Sequence, residues 1–221
     1  MDKVFIVANL KSYKNQQEAQ EWLYSLRTNN SKIDFTKKEV IICPPFQLLA
    51  DFSSFIKTNN LPFKLGAQNV SPFPEGAYTG EINAKQLKDY CEYVIIGHSE
   101  RRQYFKEDDE MLKTKVQQSW SKGVIPIFCV QNENNPIPDE VSIVAYEPVF
   151  AIGSGTPDTP ENAEMVARSI KEKKENIKVL YGGSIDSLNV KNFTSSSNLG
   201  GVLVGSASLD PLEFIRISEN A

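Results

Sequence analysis

Val124-Ile125-Pro126-Ile127-Phe128-Cys129-Val130 and, after a polar connection, Ser142-Ile143-Val144-Ala145-Tyr146 decide the fold. Both runs are apolar almost throughout rather than alternating, as in parallel strands covered on both faces. Working outward, six more runs of the same kind stand at Val4–Ala8, Val40–Cys43, Phe63–Ala67, Tyr93–Ile96, Lys178–Tyr181 and Gly201–Val204. Helical patterns lie between most of them. Ala19, Trp22, Leu23 and Leu26 share one helical face, and Asn15 with Glu18 three residues on reads as a capping box. Leu48, Leu49, Phe52, Phe55 and Ile56 make a second stripe, and Leu112, Val116 and Trp120 a third. Thr159-Pro160 reads as an N-cap and first-turn proline before Ala163, Val166, Ala167 and Ile170, and a last helix starts near Pro211. Eight strands separated by helices predict a closed (β/α)8 barrel, one α/β domain spanning residues 1–221. The competitor, a doubly wound open sheet, is weakened because no Gly-x-Gly-x-x-Gly follows the first strand.

One unit of the barrel is irregular. Gln131–Glu140 reads QNENNPIPDE and cannot form a regular helix, so the helix between strands five and six is expected to be missing or replaced by a short loop. The outer faces of those strands then need other cover. Ile137, between two prolines, is expected to drape over them, with inward leaning of the neighbouring helices as the other remedy.

Composition narrows the function. The chain has 221 residues, 40% of them hydrophobic, and a net charge of -4 with no basic block, which makes nucleic acid and anionic membranes poor partners. The apolar runs are too short to span a bilayer, and the N-terminus lacks the apolar region of a signal peptide, so a soluble, cytoplasmic protein is expected. Cys43, Cys91 and Cys129 have neither metal nor disulfide spacing and read as buried thiols. His98 is the one histidine, so any imidazole chemistry must use it.

Polar residues gather just after the strands, at the barrel end where active sites sit. Asn9 and Lys11 follow strand one, His98-Ser99-Glu100-Arg101-Arg102 strand four, Glu147 strand six, Gly182-Gly183-Ser184 strand seven and Gly205-Ser206 strand eight. A Gly-Gly-Ser alone reads as a plain turn, but two such clusters on adjacent strand ends favour a phosphate cradle. Taken singly, Lys11 reads as a solvated lysine, His98 as a satisfied imidazole and Glu147 as a strand-end carboxylate. Together they offer a base, a neutral donor and a cation for moving a proton beside a carbonyl. Arg101 and Arg102 are expected to pair with Glu107 or Asp108.

Seven stretches carry a family resemblance: Asn9–Lys11 (NLK), Gly66–Asn69 (GAQN), Gly76–Glu81 (GAYTGE), Ile96–Arg102 (IGHSERR), Ala145–Gly155 (AYEPVFAIGSG), Tyr181–Ile185 (YGGSI) and Gly201–Leu209 (GVLVGSASL). Along nearly its whole length the chain resembles the triosephosphate isomerase family. The resemblance implies interconversion of dihydroxyacetone phosphate and glyceraldehyde 3-phosphate through a cis-enediolate, in glycolysis and gluconeogenesis, with no metal or organic cofactor. It implies Glu147 as base, His98 as neutral electrophile, Lys11 as cation and Asn9 as its polar partner. Ser99 and Glu100 would surround them, with Tyr181 and Gly155 in support, and Gly153, Ser184, Gly205 and Ser206 would hold the phosphate. Pro148–Thr156 resembles the family's lid, closing to keep an enediolate from water. A two-fold homodimer through the Asn69–Gly80 loop is also implied.

The chain departs from the family pattern at several points. Phe150 stands where the family has tryptophan, Pro157 lies in the far lid hinge, and Ser206 replaces a glycine. Cys129-Val130-Gln131-Asn132 departs from Cys-x-Gly-Glu, and about twenty residues are missing after it. Pro157 fixes its own φ, so hinge motion is expected at Pro148-Val149-Phe150 and little at the far end. Two other functions fit the barrel less well. A degenerate barrel binding triose phosphate without turnover is disfavoured by the intact Asn9, Lys11, His98 and Glu147. An aldolase or synthase needs a Schiff-base lysine inside a strand at the mouth, and none of the eight runs supplies one.

Overall fold

Each apolar run becomes a strand, and each strand pairs parallel with the next. The computed structural model describes residues 3–151 and 156–221. The strands are β1 (Val4–Asn9), β2 (Lys38–Cys43), β3 (Lys64–Ala67), β4 (Tyr93–Ile96), β5 (Ile125–Val130), β6 (Ile143–Tyr146), β7 (Lys178–Tyr181) and β8 (Leu199–Val204). They run in chain order, and β8 pairs with β1 to close the barrel. The seam is tight. A Cβ at Gly201, whose φ is +149°, would overlap the carbonyl oxygen of Phe5 on β1.

The helices are α1 (Gln16–Asn29), α2 (Phe46–Thr58), α3 (Ala84–Leu87), α4 (Ser99–Phe105), α5 (Asp109–Ser121), α6 (Pro160–Lys173), α7 (Val190–Thr194) and α8 (Pro211–Asn220). The Asn15–Glu18 capping box forms at the start of α1, and Thr159 caps α6 with Pro160 in its first turn. The alternation of strand side chains makes two apolar layers. Val7, Ile41, Ile95, Ile127, Leu180 and Leu203 fill the barrel, and a larger layer lies between the sheet and the helices. All three cysteines are buried, free thiols, and burial pushes the Cys91 thiol up to about 12.

Two expectations need correction. On α5 the buried face is Leu112, Lys115, Val116 and Ser119, while Trp120 is 51% exposed. Lys115 takes the inward position because its ammonium reaches Glu107 and Asn69 Oδ1, which satisfies a buried charge. Arg101 pairs with Glu107 at 2.6 Å as expected, but Arg102 reaches Asp109 at 2.9 Å, because the Asp108 carboxylate caps α5 at Met111 N–H.

Residues 131–142, between β5 and β6, contain turns and no helix. The outward Phe128, Val130, Val144 and Tyr146 are nevertheless buried. The drape by Ile137 is the remedy the structure shows. Ile137 is half-buried against this outer layer. The C-terminal end of α6 ties the loop down, with Lys174 Nζ donating to the carbonyls of Pro138 and Asp139 and Lys173 Nζ to that of Glu133. A half-buried isoleucine contributes about 1 kcal/mol by burial. Ile137→Ser should therefore lower the melting temperature by about 2–4 °C and leave turnover unchanged, as a thermal melt beside an activity assay will show.

Candidate active site

Asn9 ends β1, and the chain then turns sharply enough to place Lys11 at φ 51°, the left-handed region that a lysine occupies at a cost. Two hydrogen bonds hold it there. Lys11 N–H donates to Asn9 Oδ1 at 3.1 Å, and Gln68 Nε2 donates to the Lys11 carbonyl at 2.9 Å. The side chain reaches across the mouth, with Nζ 2.6 Å from Glu100 Oε1.

Beyond β4, His98 is the N-cap of α4, and its Nδ1 accepts from the Glu100 N–H at 3.2 Å. An Nδ1 that accepts leaves the ring proton on Nε2, the neutral tautomer. Nε2 lies 3.1 Å from Glu147 Oε1, and Ser99 N–H donates to Glu147 Oε2 at 2.9 Å. Glu147 is 1% exposed, so this carboxylate is taken from water and held by an imidazole N–H and a helix N-terminal amide. Cys129, whose thiol burial pushes up, lies next to the same carboxylate. The Ser99 hydroxyl is buried with no partner among the described residues.

The anion side is built from β7 and β8. A Cβ at Gly183 would overlap the Tyr181 hydroxyl, so glycine lets the loop fold over that ring. Ser184 Oγ donates to the Ala151 carbonyl at 2.9 Å, and Gly205 leads into a 3-10 turn at Ser206–Leu209. A cavity of about 380 Å³ opens between these loops, and Asn9, Lys11, His98, Glu147, Ser184, Gly205 and Ser206 all line it. Ser99, Glu100 and Tyr181 stand behind those residues, bonded to Glu147, Lys11 and Asp158 N–H respectively. Gly153 and Gly155 lie outside the described residues, as does much of the expected lid. Pro157 and Asn189 also line the cavity without having been singled out for it. Asn189 holds the Ser184 carbonyl through Nδ2 at 3.2 Å, a link across five residues that no local pattern announces.

A closed parallel barrel with a buried carboxylate, a neutral imidazole and an ammonium around one small cavity belongs to the class of (β/α)8 proteins equipped for acid–base chemistry on a small anion. The sequence model described as triosephosphate isomerase matches residues 4–140 and 137–221. The chain is 37% identical to triosephosphate isomerase of Dictyoglomus turgidum, covering 97% of this chain and 98% of that protein. It is 39% identical to that of Trichodesmium erythraeum, with 98% of each covered. The crystal structure of triosephosphate isomerase from Bartonella henselae superposes with a TM-score of 0.82 at 30% identity, covering 99% of this chain and 98% of that one. The chain belongs to the triosephosphate isomerase family. The family match breaks at residues 137–140, inside the shortened β5–β6 connection. The first alignment spans 247 positions against 221 residues here, so that relative carries residues this chain lacks.

Proposed function

We propose that this barrel interconverts dihydroxyacetone phosphate and glyceraldehyde 3-phosphate, with Glu147 as the base, and that residues 1–221 act as one domain. The enzyme is an isomerase of glycolysis. The observation that carries the assignment of roles is the Glu147–His98 pair at the cavity: a buried carboxylate whose two oxygens are fixed by neutral N–H donors. Glu147 takes a proton from the carbon next to the substrate carbonyl. The electron pair becomes the C–C double bond of a cis-enediolate, and the carbonyl oxygen takes the charge. His98 Nε2–H donates to that oxygen and then shuttles its proton between the two enediolate oxygens. Glu147 returns its proton to the neighbouring carbon. Lys11 and Asn9 meet the developing charge, and Ser184, Gly205 and Ser206 receive the phosphate. A coupled assay with glyceraldehyde 3-phosphate tests this. Turnover is the expected result, whereas tight binding without turnover would favour the degenerate barrel.

The working form is a cytoplasmic homodimer joined through the Asn69–Gly80 loop, with Thr79 near the partner's mouth. Support comes from Phe73 and Tyr78 in that loop, which stack at 4.4 Å and stay 45% and 41% exposed in one chain. A rigid aromatic pair held out toward solvent suits an interface. Among the described residues no helix is long and apolar enough to cross a membrane. Light scattering at micromolar concentration should give twice the chain mass, and a fully active monomer would refute the dimer.

A further inference from the structure

Asp158 is the last residue of the far lid hinge, Thr156-Pro157-Asp158, and three parts of the site meet on it. It is 8% exposed. Its Oδ2 accepts from Asn162 Nδ2 at 2.6 Å and from the Tyr146 hydroxyl at 3.3 Å, and its Oδ1 accepts from Thr159 N–H at 2.8 Å. Its own N–H donates to the Tyr181 hydroxyl at 2.7 Å. Tyr146 immediately precedes Glu147. Tyr181 immediately precedes the Gly182-Gly183-Ser184 loop and lies beneath Gly183, its ring stacked on Phe193 at 4.2 Å. Pro157, the residue before Asp158, lines the cavity.

A carboxylate so removed from water is stable only while its donors stay in place. Here they come from the end of β6 and the first turn of α6, and a fourth bond leads to the end of β7. Burial and the adjacent Asp158 charge push the Tyr146 hydroxyl up, which keeps it protonated and donating.

We propose that Asp158 is a positioning residue that clamps Pro157 into the cavity wall and locks the end of β6 to the phosphate loop after β7. The clamp rests on the reading of the cavity given above. It also bears on the expectation that the far hinge moves little. Pro157 limits backbone rotation on one side, and the Asp158 bonds fasten the other. A clamp of this kind acts on substrate binding more than on the proton transfer, because Glu147 and His98 keep their own partners in Ser99 and Glu100 N–H.

The test compares wild type, Asp158→Asn, Tyr146→Phe and the double variant in steady-state assays with glyceraldehyde 3-phosphate, with inorganic phosphate as competitive inhibitor. In each single variant KM and the phosphate inhibition constant should rise about fivefold while kcat changes less than about threefold, the signature of lost binding rather than lost chemistry. The double variant should be no worse than the poorer single one, because both changes break one hydroxyl–carboxylate bond. Tyr146→Phe carries the test if Asp158→Asn folds poorly, since it removes that bond while keeping the ring. Unchanged KM and inhibition constant in a folded Tyr146→Phe, or effects that multiply in the double variant, would overturn the clamp. Neither result touches the role of Glu147, which stands or falls with its own variant.

Discussion

Glu147→Gln will slow turnover by roughly three to four orders of magnitude and leave the affinity for inorganic phosphate close to that of wild type. The substitution keeps the shape of the side chain and removes its capacity to accept a proton. The amide oxygen can still accept from Ser99 N–H, while the amide nitrogen then faces His98 Nε2–H, donor against donor, so the disturbance stays at the base and its imidazole. Ser184, Gly205 and Ser206, proposed to hold the phosphate, follow β7 and β8 and make none of the Glu147 hydrogen bonds. A loss confined to kcat therefore separates the base from the cradle. A glutamine variant retaining a tenth of wild-type turnover would remove Glu147 from the mechanism.

Gly201→Ala carries the largest expected loss of stability. The new methyl would overlap the Phe5 carbonyl oxygen at the β1–β8 seam, and the backbone φ of +149° is one that L side chains rarely adopt. A flexible side chain could move aside, but the obstacle is backbone in the strand pair that closes the barrel. Overpacking and conformational strain of this kind each cost about 1–3 kcal/mol, a large part of the usual 5–15 kcal/mol. A melting temperature lower by about 5–15 °C is expected in a chain of this length. Gly201→Ala melting within a degree of wild type would mean that the seam relaxes freely.

Much of this was legible because the signals are local. Continuous apolar runs gave all eight strands to within two or three residues at each end, and Asn15, Thr159 and Pro211 marked helix starts through capping chemistry that acts within one turn. The absent helix was readable for the same reason, since Asn134-Asn135-Pro136-Ile137-Pro138 refuses helical backbone. Asn9, Lys11, His98, Glu147, Ser184, Gly205 and Ser206 were found because each follows or ends a strand, and closure brings strand ends together. What stayed hidden depends on side chains meeting across elements. Trp120 matched the helical period, but Lys115 displaced that stripe by finding Glu107 and Asn69. The left-handed backbone of Lys11 is imposed by Asn9 and Gln68, the latter well over fifty residues away in sequence. Asp158 read only as part of the far lid hinge, because the two tyrosines that bond it arrive from other strands.

The short crossover from β5 to β6 also bears on how the chain folds. Parallel strands must wait for their connection to close, and closure entropy grows with loop length. Residues 131–142 are well under half the length of the β6-to-β7 crossover, residues 147–177. By the logarithmic dependence this lowers the closure penalty by about 0.8 kcal/mol. The β5–β6 pair is thus the most local parallel contact in the barrel, and local contacts form fastest. No helix covers this wall, but the short connection makes it the natural first ply onto which later strands, and with them the rest of the mouth, can be laid.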